Sequence, residues 1–406
     1  MLKVKIWSDR RLNIIDEYLG IFISFLNIHL SHYVATQENS LPRMRTGYER
    51  VVAHRCKLPF AYAAEFDGVI ESIDDNAHIL VVSYPKQEKK VAVEYGEIYT
   101  NNGGGGFYCT QHIVVNNFKA GDKVKQGDVI IYNDQFFHAD PFNKQVDSMF
   151  GKLVNVALID AATTVEDSNI ISEKLSKELM FNPVHPRDII ITKKTNIHKY
   201  AAVGTQVSNT DPLMIFDQSE MTEDMFGKID EETAVLLSNV NRQTPRAKFS
   251  GKIVKIDVFY LGSTEGMSNS ARNLVNMVNR EKSKKYQQAK GTSSVASFYP
   301  ATDIKQSTRI GTTVLDDETL IVRFFIQQDM TCGSGDKAEL DSSLKTVCST
   351  VSPTGWKTED GSVVCDAIFS QRSQAKRLIS SPILTGIGNR ILEKIEKDIL
   401  EEYFGK

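Results

Sequence analysis

The sequence predicts a mixed α+β protein, β-rich through its middle and built of more than one domain. Three observations carry this. The chain has 406 residues, more than one hydrophobic core ordinarily serves. From residue 51 to about 165, short runs rich in Val, Ile and Tyr alternate with Gly, Asn and Asp, the signature of short strands joined by turns. At the C-terminus Ile383, Ile387, Ile391, Ile395 and Ile399 recur every four residues, an amphipathic helix that packs on something. The charge balance is 48 Lys and Arg against 51 Asp and Glu. That excludes a histone-like polycation but leaves room for a local basic groove. The cysteines (Cys56, Cys109, Cys332, Cys348, Cys365) contain no C-x-x-C pair. A zinc ribbon or redox dithiol is therefore not expected, no zinc is assigned, and a reducing compartment fits.

The elements follow in order. MLKVKIWSDRRL lacks the apolar core of a secretory signal. Residues 1–33 read as helical. Their most apolar stretch, 18–30, is shorter than the ~20 residues of a membrane helix and contains Asn27 and His29, so it reads as a buried helix, with no membrane partner. Residues 34–50 are polar and carry Arg43, Arg45 and Arg50. The runs GVIESID, HILVVSYP, KKVAVEYGEIYT, QHIVVNNF and KVKQGDVIIYN then read as strands of a barrel or sandwich. Gly103–Gly106 form a loop with no P-loop lysine and serine behind it, hence a linker.

After LVNVALID, the segment TTVEDS leads into a Glu/Lys-rich helix that Ser168 could cap. Strands return over 188–217 and in AKFSGKIVKIDVFYLG. Residues 263–290 are polar and helical in pattern, with Arg280, Lys282, Lys284 and Lys285 near their end. A solvated face is the ordinary reading of such a run. TLIVRFFIQ is a strand entering GSGDKAELDSSLKTV, and SVVCDAIFS is another strand before the polar helix start QRSQAKR.

Seven of these segments, in order, resemble the C-terminal half of the β subunit of multisubunit DNA-dependent RNA polymerase. TGYER at 46–50 is similar to the family's TGMER, and GVIESID at 68–74 to its GVV-x-x-VD strand. IVVNNFKAGDKVKQGDVI at 113–130 resembles P-x-V-x-x-G-x-x-V-x-x-GDVLADG, and VEDSNIISEKL at 165–175 resembles FED(A/S)I-x-(I/V)SE-x-(L/V). FSGKIVKIDVF at 249–259 is similar to VSG-x-V-x-DV-x-V-F. GSGDKAELDSSLKTV at 333–347 resembles PGDK-x-AGRHGNKG and keeps the eight-residue interval between two lysines, though not the glycines, Arg and His between them. DAIFSQRSQAKRL at 366–378 resembles D-I-V-L-N-P-x-G-V-P-S-R-M and keeps the eleven residues from Asp366 to Arg377, without the Pro and Gly.

The resemblance covers the chain from about residue 20 and implies a divergent polymerase of giant bacteriophages, whose subunits are split across chains. The fold it implies is β-rich and multi-domain, with a sandwich-barrel hybrid core and an inserted flap. Residues 1–50 lead into a core over 51–183. The flap follows over 184–318, a return to the core over 319–381, and the C-terminal helix over 382–406. The family's N-terminal β lobes and C-terminal clamp segment are expected on other chains. The implied partners are those chains: the N-terminal β half, the β′ parts and a specificity subunit, together with DNA template, RNA product and nucleoside triphosphates. The implied location is the cytoplasm of an infected bacterial host.

Nucleotidyl transfer needs two metal ions and cations around a pyrophosphate leaving group. The family's Mg2+ ions sit on an NADFDGD-type loop of β′. FDG at 66–68 lacks the remaining aspartates, so the chain is expected to be inactive without a β′-like partner. The resemblance implies that Lys337 and Lys345 contact phosphates of the RNA 3′ end and the incoming nucleotide, and that Arg377 forks onto the triphosphate tail. Most lysines are simply surface groups, and an arginine in QRSQAKR is ordinarily exposed. Glu166 and Asp167 match an acidic pair that places metal through water; acids at a helix start are the plainer reading. Arg43 and Arg45 both lie near the family's triphosphate-contacting arginine, and the choice between them stays open. Arg372 and Lys376 read as solvated charges. Two other readings stand beside this one. GDKVKQGDVI also resembles biotinyl- or lipoyl-type barrels, which suggests a structural or carrier barrel. A β-like paralogue kept for DNA binding or assembly would tolerate the loss of GRHGN.

Overall fold

The computed structural model of the chain describes residues 2–7, 36, 39–45, 47–56, 60–101, 108–149, 151–160, 164, 167–217, 242–294, 309–310, 313–340, 344–361, 363–376 and 381–405. Strands dominate. In chain order the elements that matter below are β1 (Leu2–Trp7), β2 (Lys152–Val154), β3 (Val156–Leu158), β4 (Ser168–Ser172), α1 (Glu173–Glu178), β5 (Pro183–Thr192), β6 (Asn196–Tyr200) and β7 (Met214–Asp217). They are followed by β8 (Gly251–Tyr260), α2 (Asn269–Gln288), β9 (Thr319–Gln327), β10 (Lys337–Leu340), β11 (Leu344–Ser352), β12 (Ala367–Phe369), α3 (Gln371–Lys376) and α4 (Ser381–Phe404). The chain divides into two compact units: residues 1–70, 95–182 and 329–406 in one, 71–94 and 183–328 in the other.

The first unit holds a seven-stranded sheet in the order β2-β1-β10-β11-β4-β12-β3. β11 and β4 run parallel, as do β12 and β3; the other neighbours are antiparallel. The two edge strands, β2 and β3, are separated in the chain by Asn155 alone. One stretch, 152–158, therefore borders both edges, although the pairings do not close a ring among the described residues. Asn155 anchors this stretch: its carbonyl accepts from the Asp366 amide at 3.0 Å and its side chain donates to the Val364 carbonyl at 3.0 Å. Beneath the sheet Val154, Ile171, Leu175, Leu179, Cys332, Ala338, Cys348 and Ala367 form one buried cluster. A second antiparallel group in this unit joins 61–63, 129–133, 108–115 and 96–101.

One local device recurs. In Lys119–Asp122, Lys125–Asp128 and Gly333–Asp336 the aspartate side chain accepts from the amide three residues back at 2.8–2.9 Å. The third residue of each turn is a glycine with φ near +90° (Gly121, Gly127, Gly335), a conformation that side chains with a Cβ rarely adopt. Each G-D turn launches the strand that follows it.

The second unit is organised on β5, β9 and β8, antiparallel in that order over nine and eight paired positions. α2 buries Ala271, Leu274, Val275 and Val278 in a cluster with Ile253, Ile256, Val258, Leu320, Val322 and Phe324. Asp257 pins α2 to β8 from the polar side, 2.9 Å from both the Lys255 and Lys282 ammonium groups. Burial acts to raise the Asp257 carboxyl, but these two ammonium groups overcome it and hold the group below its ordinary value.

Three expectations are corrected. Residues 2–7 are a strand, not part of a helix, because β1 fills the ladder between β2 and β10; residues 8–35 lie outside the described residues. Ser168 opens β4 and caps nothing; the helix starts five residues later, where the Ser172 hydroxyl accepts from the Leu175 amide at 3.1 Å. The C-terminal helix is present, but its inward side is polar. Asn389 and Glu393 are buried, while Leu384 (63%), Ile387 (53%) and Ile391 (56%) are exposed. The Met44 amide donates to Asn389 and the Arg43 guanidinium meets Glu396, so polar groups hold the helix down and its apolar stripe faces away. No helix among the described residues is long and apolar enough to cross a membrane.

Candidate functional site

One cross-strand row of the seven-stranded sheet runs by Lys337, Lys345 and Asp167, three of the residues singled out in the sequence. Cα registers place Trp7 against Lys337, Lys337 against Val347 and Val347 against Ser168. The row continues through β12 and β3: Asn169 opposes Phe369, and the Ile159 amide donates to the Phe369 carbonyl at 3.1 Å. The row thus joins the last residue of β1, the first of β10, the middle of β11, the first residues of β4 and the last of β12, with β1 and β10 running to one side of it and β4, β12 and β3 to the other.

Lys337 and Lys345 lie on one outward face of the β10–β11 hairpin. Lys345 pairs with Glu339, two residues along from Lys337, and residues two apart in a strand share a face. Exposure agrees with this. Lys337 and Lys345 are exposed, whereas the alternate positions Ala338, Thr346 and Cys348 are 1–2% exposed. The lysines are diagonal neighbours, which ordinary sheet geometry puts about 7–8 Å apart at Cα. The G-S-G-D turn fixes where Lys337 emerges: the Asp336 carboxylate accepts from Gly333, and the Gly335 amide donates to the Cys348 carbonyl at 2.8 Å.

Asp167 lies at the start of the strand that flanks this hairpin. It is exposed, directly precedes β4, and its carbonyl accepts from the Val347 amide at 2.9 Å. It therefore sits at a strand start and not at a helix start. Glu166 and Arg377 lie outside the described residues. Arg377 follows α3, which leaves the sheet after Ser370 at the end of β12. The Asp160 carboxylate holds that departure, accepting from the Ser370 hydroxyl at 2.9 Å and meeting the Arg372 guanidinium at 3.0 Å. Its carboxyl is lowered, first by the Ser370 hydrogen bond and then by the Arg372 amide. Arg372 is thus engaged by a carboxylate and is not merely solvated.

Arg43 and Arg45 are held elsewhere in the same unit. The Arg43 Nε donates to Glu396 at 3.1 Å. Arg45 Nη1 reaches the largely buried Asp147 at 2.6 Å, and Arg50 shares that aspartate at 3.1 Å. Both candidates have a carboxylate from their own chain, and the geometry does not favour one over the other.

Three residues escaped the reading of the sequence. Asp366 accepts from the Ser172 hydroxyl at 3.1 Å, tying the start of α1 to the strand before α3. Asn169, 2% exposed, donates to Thr346 Oγ1 at 3.1 Å and locks β4 to β11 directly beneath Lys345. Asp160 is the third. Only Asp366 carried a signal, its interval to Arg377; the other two act through partners some 180–210 residues away. Burial pushes the Cys332 thiol up, as it does the Cys348 thiol, to about 11, with Asp336 adding to both. Among the described residues no group of three or more His, Cys, Asp or Glu is arranged to hold a metal ion.

No protein-family model matches the chain. Part of it is similar to the β subunit of bacterial DNA-directed RNA polymerase. It is 28% identical over 164 residues to that of Orientia tsutsugamushi (strain Boryong), covering 39% of this chain and 11% of the relative. It is 31% identical over 149 residues to that of Anaeromyxobacter sp. (strain K), covering 36% of this chain and 10% of the relative. The β subunit of Anaeromyxobacter dehalogenans (strain 2CP-1 / ATCC BAA-258) gives the same figures. The match thus spans about a tenth of the length of these curated relatives.

Proposed function

We propose that the chain is the C-terminal part of a split β subunit in a multisubunit DNA-dependent RNA polymerase of giant-bacteriophage type, acting in the cytoplasm of the infected host. It forms one wall of the active-centre cleft. The observation that carries this reading is the outward hairpin face with Lys337 and Lys345 side by side and Asp167 on the adjoining strand. Two ammonium groups on a rigid hairpin suit the phosphates of an RNA 3′ end and of an incoming nucleoside triphosphate, because the sheet fixes them before substrate arrives.

Within this reading Arg377 joins them from the segment after α3 and forks onto the triphosphate tail. Arg43 and Arg45 are available to nucleotide or RNA phosphates once released from Glu396 and Asp147. Bound Mg2+ supplies charge neutralisation at the reacting phosphate. That metal is held mainly by a partner chain. Glu166 and Asp167 accept hydrogen bonds from water around that metal. The outward apolar stripe of α4 supports obligate partner chains, because solvent contact over Leu384, Ile387 and Ile391 is unfavourable. The partners are the N-terminal β half, β′ parts and a specificity subunit, with DNA, RNA and nucleoside triphosphates as ligands.

A carrier barrel is less well supported. Lys123, the lysine such a reading needs, lies in a two-residue strand paired with Val69 and not at a hairpin tip.

The test is purification of the chain with its partners from the native source. A companion bearing a triple-aspartate loop, and loss of primer extension in Lys337→Ala and Lys345→Ala complexes, support the reading. Unchanged elongation by both variants refutes it.

A further inference from the structure

A chain of polar contacts runs beneath the lysine hairpin. The Ser334 hydroxyl, in the turn ahead of β10, donates to the Ser349 carbonyl at 2.8 Å. The Ser349 hydroxyl donates to the Asn169 carbonyl at 2.8 Å, and the Asn169 side chain donates to Thr346 Oγ1 at 3.1 Å. Asn169 and Thr346 are both 2% exposed. The remaining side-chain oxygen of Asn169, Oδ1, is buried with no hydrogen-bond partner among the described residues. An amide satisfied at one end only gains little by burial, so stability is a poor explanation for this pair.

The pattern of β11 supplies a better one. Its buried positions here are Thr346 and Cys348, and its exposed positions are Lys345 and Val347, the last 37% exposed. With a hydroxyl inside and a valine outside, hydrophobic patterning hardly chooses which face of β11 turns inward. A one-residue slip along β4 would bring Val347 in, turn Thr346 and Cys348 out and carry Lys345 to the inner face. Lys345 opposes that slip only in part, because its long stem can bring the ammonium group to an edge. Backbone groups do not discriminate either, since every register offers the same amides and carbonyls. The ladder is already irregular at this point: Asn169 pairs with Cys348 and Ile170 with Thr350, so Ser349 is passed over. The side-chain bond from Asn169 to Thr346 needs Thr346 inward, and it is lost if β11 inverts.

We infer that Asn169 and Thr346 form a register key. They are positioning residues that hold β11 on β4 so that Lys345, and Lys337 across the hairpin, emerge on the outward face. Fixing a register is the best-attested use of a buried polar group that adds little stability. The inference rests on the polymerase reading only for what the lysines touch; the register itself is read without any nucleotide.

The test uses the full chain carrying Asn169→Leu with Thr346→Val, changes that keep side-chain size and remove the hydrogen bond. Iodoacetamide labelling at pH 8 with peptide mass spectrometry follows Cys348, and Cys332 is the internal reference because it shares the same buried cluster. Cys348 is expected to be alkylated roughly tenfold faster than in the parent, or more, as the slip turns it outward, while Cys332 stays protected. The thermal midpoint is expected to be unchanged or raised. Thr346→Ser keeps the hydroxyl and is expected to leave Cys348 as protected as in the parent. In the partner-complete complex the double variant is expected to slow nucleotide addition as much as Lys345→Ala does. Continued protection of Cys348 in the double variant overturns the inference. So does joint alkylation of Cys332 and Cys348 with a lowered midpoint, which would make the pair a stabiliser only. If Cys348 alone is freed, but Lys337→Ala and Lys345→Ala complexes elongate normally, the register key stands and the polymerase reading falls.

Discussion

The Asp167 carbonyl oxygen accepts a hydrogen bond from the Val347 amide at 2.9 Å. This single backbone contact joins two segments 180 residues apart and sets Asp167 one residue ahead of the strand that flanks the Lys337–Lys345 hairpin. It also sets the parallel register of β4 on β11, in which Ser168 faces Val347 and a bulge follows Asn169. The neighbourhood of the lysine hairpin therefore owes its composition to a ladder that no local sequence feature specifies.

The lysine pair gives the most direct prediction. In an assembled, partner-complete complex, Lys337→Ala and Lys345→Ala should each lower the rate of nucleotide addition roughly 10²-fold, the usual loss when one preorganised charge is removed from developing negative charge. Single-turnover primer extension measures this. Because both side chains are exposed, the thermal midpoint of the chain should stay unchanged.

The turn that presents Lys337 should be sensitive to its backbone geometry. Gly335 has φ +94°, so Gly335→Ala should destabilise the first unit by about 1 kcal/mol despite open space around its Cβ. Gly251→Ala acts by a different route in the second unit. There an added Cβ runs into the Gln327 carbonyl across β8 and β9, with an expected loss of roughly 1–3 kcal/mol. Denaturant titration of both variants separates a strained turn from a steric clash in a ladder.

Acid should loosen the second unit through Asp257. Its carboxyl titrates lower folded than unfolded, so its contribution is present above the ordinary carboxylate value near 3.8 and is lost as pH falls through the lowered folded value. Asp257→Asn should cost about 2 kcal/mol at pH 7, since it leaves the Lys282 ammonium without its partner, and should flatten the decline of stability below pH 4. Thermal melts from pH 7 to pH 3 check both effects.

Thiol reactivity should report the packing beneath the seven-stranded sheet. Cys332 and Cys348 are buried and their thiols are pushed up, so iodoacetamide at pH 8 should leave both unmodified in the folded chain. Cys56 and Cys365 are more open and should be alkylated first. Peptide mass spectrometry reads the order; early modification of Cys348 would mean that β11 is not seated on its cluster.

Much of the local structure is legible along the chain. The alternating runs form strands, the polar stretch before residue 290 forms α2, and the four-residue isoleucine period forms α4. The eight-residue lysine interval is visible too, but that both lysines show on one face follows from the hairpin register, with Glu339 opposite Lys345. Other features are legible only in part. G-D-K occurs twice, at 121–123 and 335–337, with the same turn and the same glycine conformation. Lys123 pairs with Val69 on a short strand, whereas Lys337 enters a seven-stranded sheet.

What the sequence by itself determined is therefore most of the elements and their turns, consequences of periods and φ preferences a few residues long. Tertiary structure alone decided that Lys337 and Lys345 share a face, that Asp167 adjoins their hairpin, that residues 2–7 form a strand and that α4 turns its apolar side outward. Those outcomes depend on which ladder of amides and carbonyls each segment joins, and backbone groups are the same in every residue, so the choice is made by packing between distant segments.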